Sequence, residues 1–241
     1  MAGRDYNELV RRLEALQVPH IKREVAGEVD GYPIYRVFLA AGAAPGNMLL
    51  SGGIHGDEYA SPEAVLAFLE RDHAVLLDHF RFLVFPCLNP YGYENGQREN
   101  REGKDLNRAF AGDGVPLVDL VKQTLEDQRF DFHMDFHEDW ECEATYIYEA
   151  QRQERWIGPQ VRDRVAETGP VDEEVEADKL PIAPGVFKIH PSWGQTGFTP
   201  YTYVHHTDHA MMTETPLGWP LEQRVAVHLK ALDTVLEYCR S

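Results

Sequence analysis

Cysteine is scarce in this chain, cations are outnumbered, and no stretch stays apolar for long. The 241 residues include three cysteines, Cys87, Cys142 and Cys239, odd in number and far apart, which argues against a disulfide framework and for reduced thiols. Lys and Arg total 23 against 40 Asp and Glu, a formal net charge of -17, so the clustered cations that grip nucleic-acid phosphates or an anionic membrane are missing. The opening Met1-Ala2-Gly3-Arg4-Asp5-Tyr6 leads into an amphipathic pattern in place of a signal peptide or membrane span. Repeats and low-complexity tracts are absent too. A cytoplasmic protein without nucleic-acid or membrane partners is the expectation; oligomeric state is not encoded in any visible pattern.

What is present suits a packed enzyme. With 43% hydrophobic and 11% aromatic residues the chain can bury a sizeable core, and a single α/β domain over residues 1–241 is expected. Tyr6, Leu9, Val10, Leu13 and Leu16 recur at helical spacing, and Tyr35 to Ala40 and Asn47 to Ser51 read as strands. Gly52-Gly53 closes the second strand and Ser61-Pro62-Glu63 opens a helix. Phe82 to Leu88, Arg129 to Phe136, Ala144 to Tyr148, Phe187 to Ile189 and Ala210 to Thr213 are further predicted strands. Helices are predicted over Pro116 to Gln128, Arg155 to Glu167 and Leu221 to Tyr238, with Glu167 to Pro184 as an acidic surface excursion.

Two short runs carry the chemistry. His55 and Glu58, in Gly53-Ile54-His55-Gly56-Asp57-Glu58, supply an imidazole and a carboxylate three residues apart in a strand-to-helix loop; Asp105-Leu106-Asn107-Arg108 supplies an amide beside a guanidinium. Together they suggest zinc and a carboxylate-bearing substrate. A hydrolytic zinc takes three protein ligands, and His137, closing a predicted strand, ranks ahead of His133 as the third. The base should be a carboxylate ending a late apolar strand, which Glu214 does. Glu138 and Asp139 compete for that role or orient an imidazole. His205, His206 and His209 lack evident co-ligands and read as surface or pocket wall.

Arg98-x-Asn100-x-x-Gly103-x-Asp105-Leu106-Asn107-Arg108, preceded by Asn89-Pro90-x-Gly92 and set between His55-x-x-Glu58 and His137, resembles the zinc metallocarboxypeptidase family of the carboxypeptidase A type. Small murein-peptide amidases and the succinylglutamate desuccinylase and aspartoacylase branch lie close to it. The resemblance spans His55 to Glu214 and implies a three-layer α/β/α fold with a mixed, twisted sheet of about eight strands. It implies one zinc ion on His55, Glu58 and His137, Glu214 as catalytic base, Arg98 polarising the scissile carbonyl, and Asn107 with Arg108 binding the substrate carboxylate. Tyr201 or Tyr203 would be the tyrosine that closes over the substrate, a small peptide or N-acyl amino acid.

Nine positions separate Arg98 from Asn107, with Asn and Gly between them, which favours the carboxypeptidase and murein-amidase pattern over the shorter deacylase one. Two rivals stand beside it: an N-acyl-amino-acid deacylase, and a catalytically silent protein that keeps the pocket. Tyr91 stands where the family usually shows aspartate, and Ala109 where asparagine commonly follows Asn-Arg, so the carboxylate pocket is expected to be reshaped.

Overall fold

β5, Phe132–Asp139, shows how the sequence builds this molecule, because its alternation sorts apolar and polar side chains onto opposite faces. In the computed structural model, which describes residues 4–153, 155–173 and 180–240, Phe132, Met134 and Phe136 join one core while His133, Asp135 and His137 point the other way. Chain order gives α1 (Tyr6–Ala15), β1 (Ile21–Val29), β2 (Tyr32–Leu39), β3 (Gly46–Gly52), α2 (Ala60–Leu69), β4 (Phe80–Phe85), α3 (Pro90–Asn95) and α4 (Pro116–Leu125) before β5. After it come β6 (Tyr146–Gln151), α5 (Gly158–Val165), β7 (Leu180–Ala183), β8 (Val186–Lys188), α6 (Phe198–His205), β9 (His209–Pro216) and α7 (Leu221–Arg240).

Among the described residues nine strands form one sheet in the order β1-β2-β4-β3-β5-β9-β6-β8-β7, against the eight or so expected. Its centre, β4-β3-β5-β9, is parallel, and β1, β2 and β6 are antiparallel to their inner neighbours. α1, α2, α5 and α7 cover one face around Phe68, Phe136 and Leu232; α4 and α6 cover the other around Leu49, Phe110 and Phe198. That is the three-layer arrangement the resemblance implied. No described helix is long and apolar enough to cross a membrane.

β1 escaped the sequence reading because Lys22, Arg23, Glu24 and Glu28 interrupt its apolar signal; it is an edge strand, and charge on an edge discourages pairing with other chains. β5 runs three residues beyond its predicted end, so His137 lies within the strand. Of the acidic excursion, residues 174–179 lie outside the described residues, and its far end is β7.

The parallel strands deliver their C-terminal ends to one crevice, where open α/β sheets hold their ligands. β3 runs into the His55 loop, which must turn sharply and lie close to its neighbour. Gly53 adopts φ 68°, and a Cβ on Gly56 would come within 2.1 Å of the Gly92 backbone, so both positions require glycine.

Candidate metal and active site

His55 follows β3, Glu58 lies three residues on before α2, and His137 projects from β5. His55 Nδ1 sits 2.5 Å from Glu58 Oε1, and His137 Nδ1 lies 3.1 Å from Glu58 Oε2. One donor atom from each residue falls within 4.8 Å of the others, and all three side chains are buried. The far nitrogens face carboxylates: His55 Nε2 is 3.4 Å from Asp105 Oδ1, and His137 Nε2 is 3.1 Å from Asp135 Oδ2. An imidazole held by a carboxylate on one nitrogen and open on the other is the usual state of a metal-ligating histidine. Two imidazoles and a carboxylate also match zinc's preferred donors, so the residues present fit that ion.

Charges reinforce the cluster. Burial disfavours a proton on His55, but Glu58 and Asp105 raise its pKa above the usual histidine value. His137 is pushed further, because against the same burial it faces both Asp135 and Glu58. Glu58, although buried, is held well below the carboxylate range by His55 and His137. The cluster thus attracts positive charge.

Glu214 is the register partner of His137 across the parallel β5–β9 ladder, and of Tyr146 across the antiparallel β6–β9 ladder. Partners on neighbouring strands project from the same face, which sets its carboxylate beside the imidazole. Burial lifts Glu214 to about 8, with Glu58 and Asp139 adding to the rise and His137 and His55 opposing it. His55, Glu58, His137, Glu214, Arg98, Asn107 and Arg108 all line one cavity of about 330 Å³, walled by Tyr146, Tyr148 and Trp193, with the exposed Trp140 at its edge.

The two arginines differ. Arg98 is pinned, with Nε 3.0 Å from Asp105 Oδ2 and Nη1 3.6 Å from Glu58 Oε1. Arg108 is exposed; its backbone N–H bonds to Asp105 at 3.1 Å, and among the described residues no ion pair engages its guanidinium. Asn107 is buried, and its Oδ1 accepts from Phe198 N–H at 2.7 Å.

The model of the succinylglutamate desuccinylase/aspartoacylase catalytic domain matches residues 45–158, a little under half of the chain. A Shewanella denitrificans OS217 protein described as a candidate metallopeptidase superposes with a TM-score of 0.81 at 26% identity, over 98% of this chain and 88% of its own. A similarly described protein from Shewanella amazonensis SB2B gives 0.84 at 24% identity, over 98% and 92%. The chain is thus similar to that catalytic domain over this stretch and shares the fold of these candidate metallopeptidases. The fold extends further, to a Pseudomonas aeruginosa metallo-carboxypeptidase in complex with (2-guanidinoethylmercapto)succinic acid, at TM-score 0.72 and 19% identity over 96% and 67%. Comparison with curated proteins found no match. The partial domain match and the shared fold are what a hydrolase of the carboxypeptidase/deacylase type would have.

Not every residue singled out in the sequence reaches the cavity. Tyr201 packs against Phe110 and His206, and Tyr203 lies under Arg152; neither is among the lining residues, because α6 turns both away. Tyr91 sits beneath Arg101, 5.0 Å from its guanidinium, and Ala109 packs into the α4-side core. His205, His206 and His209 do not converge: they bond Gln195, the Gln128 carbonyl and Glu149.

Glu138 orients no imidazole. It pairs with Arg224 and accepts from Ala60 N–H at 2.6 Å, and burial lifts it to about 7 despite Arg224. Asp139 accepts instead from Tyr146 Oη at 2.7 Å. Sequence reasoning missed Asp105 and Asp135 as imidazole partners. The signal for Asp135 was available, since it lies two residues from His137 and so on the same strand face.

Proposed function

We propose that this protein is a zinc-dependent metallocarboxypeptidase that hydrolyses the amide bond preceding a free C-terminal carboxylate, acting on small peptides, murein or γ-glutamyl peptides among them. The observation that carries this reading is a single cavity holding the His55–Glu58–His137 cluster, Glu214 in register with His137, and an Arg108 with no described carboxylate of its own. A bound zinc would supply the Lewis acidity that polarises a carbonyl and acidifies water.

The chain's own residues do the rest. Arg108 offers a planar guanidinium that can take a carboxylate through two parallel hydrogen bonds, and Asn107, its oxygen already engaged by Phe198, keeps the amide N–H groups for the same task. Arg98, held by Asp105 near Glu58, sets a cation where negative charge develops on the carbonyl oxygen. Glu214, in register with His137 on the cavity wall, takes a proton from water at its carboxylate and returns it to the leaving nitrogen.

A second reading, N-acyl-amino-acid deacylation, is supported by the match to the desuccinylase/aspartoacylase domain. A small carboxylate ligand is common to both readings, and the succinic acid derivative bound to the Pseudomonas metallo-carboxypeptidase is of that kind. The three unbridged cysteines favour a reducing, cytoplasmic setting.

Mass-spectrometric turnover of a mixed pool decides between them. Zinc-loaded wild type should release terminal residues from free-carboxylate peptides and leave C-terminally amidated ones intact, with Glu214→Gln slower by about 10²- to 10⁴-fold. Cleavage of N-acyl amino acids alone would establish the deacylase. No turnover despite bound zinc would leave a silent binding protein.

A further inference from the structure

Behind the metal cluster lies a chain of buried polar side chains that the chemistry above does not use. Ser51 on β3, His133 on β5, and Thr199 and Thr202 on α6 are all 0% exposed. Ser51 Oγ is 2.6 Å from Asp135 Oδ1 and 2.8 Å from His133 Nε2, and Thr202 Oγ1 is 2.7 Å from His133 Nδ1. Thr199 Oγ1 is 2.8 Å from Asp135 Oδ2, the oxygen that faces His137 Nε2.

Counting hydrogens gives the chain a direction. A hydroxyl has one hydrogen to donate and a carboxylate has none. Ser51 donates to Asp135, so it can only accept from His133, whose Nε2 must carry a hydrogen. Thr202 Oγ1 faces His133 Nδ1 and donates to the Thr199 carbonyl at 2.9 Å, which ties His133 to the same turn of α6. Thr199 also donates to Asp135. Both hydroxyl donations from Ser51 and Thr199 run to that carboxylate, which is left to accept from His137 Nε2. The lone pair of His137 is thereby held on Nδ1, the nitrogen beside Glu58.

α6 extends this chain toward the substrate side. The residue before Thr199 is Phe198, whose N–H donates to Asn107, so the first turn of one helix grips both Asn107 and the carboxylate behind His137.

We propose that Thr199, Ser51 and His133 are positioning residues that fix the His137 ring for the metal, and that the first turn of α6 is a bracket setting the Asn107 pocket against it. The inference rests on the metal site proposed above. Its test is zinc affinity, read by competition with a chromophoric chelator, alongside thermal melting.

Thr199→Val keeps the shape and removes the donor, and should weaken zinc binding by about 10- to 100-fold, while Thr199→Ser should stay near wild type. Asn107→Ala should weaken it by about 3-fold alone and add nothing in the Thr199→Val background, where the grip is already lost. If Thr199→Val does not fold, Ser51→Ala cuts the same chain from β3 and carries the same expectation. A folded Thr199→Val with lowered melting temperature and wild-type zinc affinity would overturn the positioning role. Additive losses in the double variant would overturn the bracket. A wild type that binds no zinc would sink the metal-site reading itself.

Discussion

The two imidazoles of the metal cluster are equally buried but differently supported. His137 projects from a central strand, and Asp135 behind it is 0% exposed and accepts from Ser51, Thr199 and His137. His55 sits on a loop, and Asp105 behind it keeps 23% of its side chain exposed and lies 3.4 Å away. One wall of the site is therefore built into the sheet, and the other is held by a loop that also carries Asn107 and Arg108. The difference teaches that a single side-chain class, a carboxylate behind a histidine, can be a structural element in one place and an adjustable one in the other.

The largest effect should come from breaking the sheet-side wall. Asp135→Asn places an NH₂ group where buried donors converge and strips His137 of its charge partner, and breaking a buried ionic pair in this way costs about 3–5 kcal/mol. Chemical denaturation should show that loss even without metal. An unchanged denaturation midpoint would mean that Asp135 supports the metal and not the fold.

Acid should sharpen the same contrast. His133, in the sheet-side network, is lowered to about 4 by burial, and His228, which bonds Thr213 on the opposite face, is lowered to about 3. An unfolded chain binds protons at both as pH falls below about 6.5 while the folded protein does not. Stability is therefore fully present above that pH and is lost as pH falls toward 4 and then 3. His228→Gln should flatten the lower part of the melting-temperature profile. A profile level from pH 7 to 4 would contradict the neutral, buried state of both rings.

Much of this was legible beforehand, for identifiable reasons. His55, Glu58, His137 and Glu214 were readable because they end strands or enter a loop, and the structure draws all four to one cavity. The fold's layers followed from alternation such as that of β5, and the two strands that were not read are the edges of the sheet, β1 with its interrupting charges and β7 at the end of the acidic excursion. The tyrosines were not legible: Phe198 to Tyr203 is a helix, and a helix turns neighbouring side chains about 100° apart, so spacing alone could not say which faced the cavity. Nor could the sequence show that Ser51 and Thr199, some 84 and 64 positions from Asp135, meet there. Such contacts arise from strand order, which only the assembled sheet reveals.

The smallest expected effect belongs to the loop-side wall. Asp105→Asn keeps an oxygen for the Arg108 N–H and removes the charge shared by His55 and Arg98. Because Asp105 is partly exposed, water compensates for much of that loss, and folding stability should fall by about 1 kcal/mol or less. Zinc affinity should still drop by about 10-fold, since an imidazole without its outer carboxylate is a weaker ligand. Such a variant would separate the two walls, because metal binding would suffer where the fold does not. Should Asp105→Asn destabilise the protein as much as Asp135→Asn, the loop would prove as integral to the fold as the strand, and the distinction between the imidazoles would collapse.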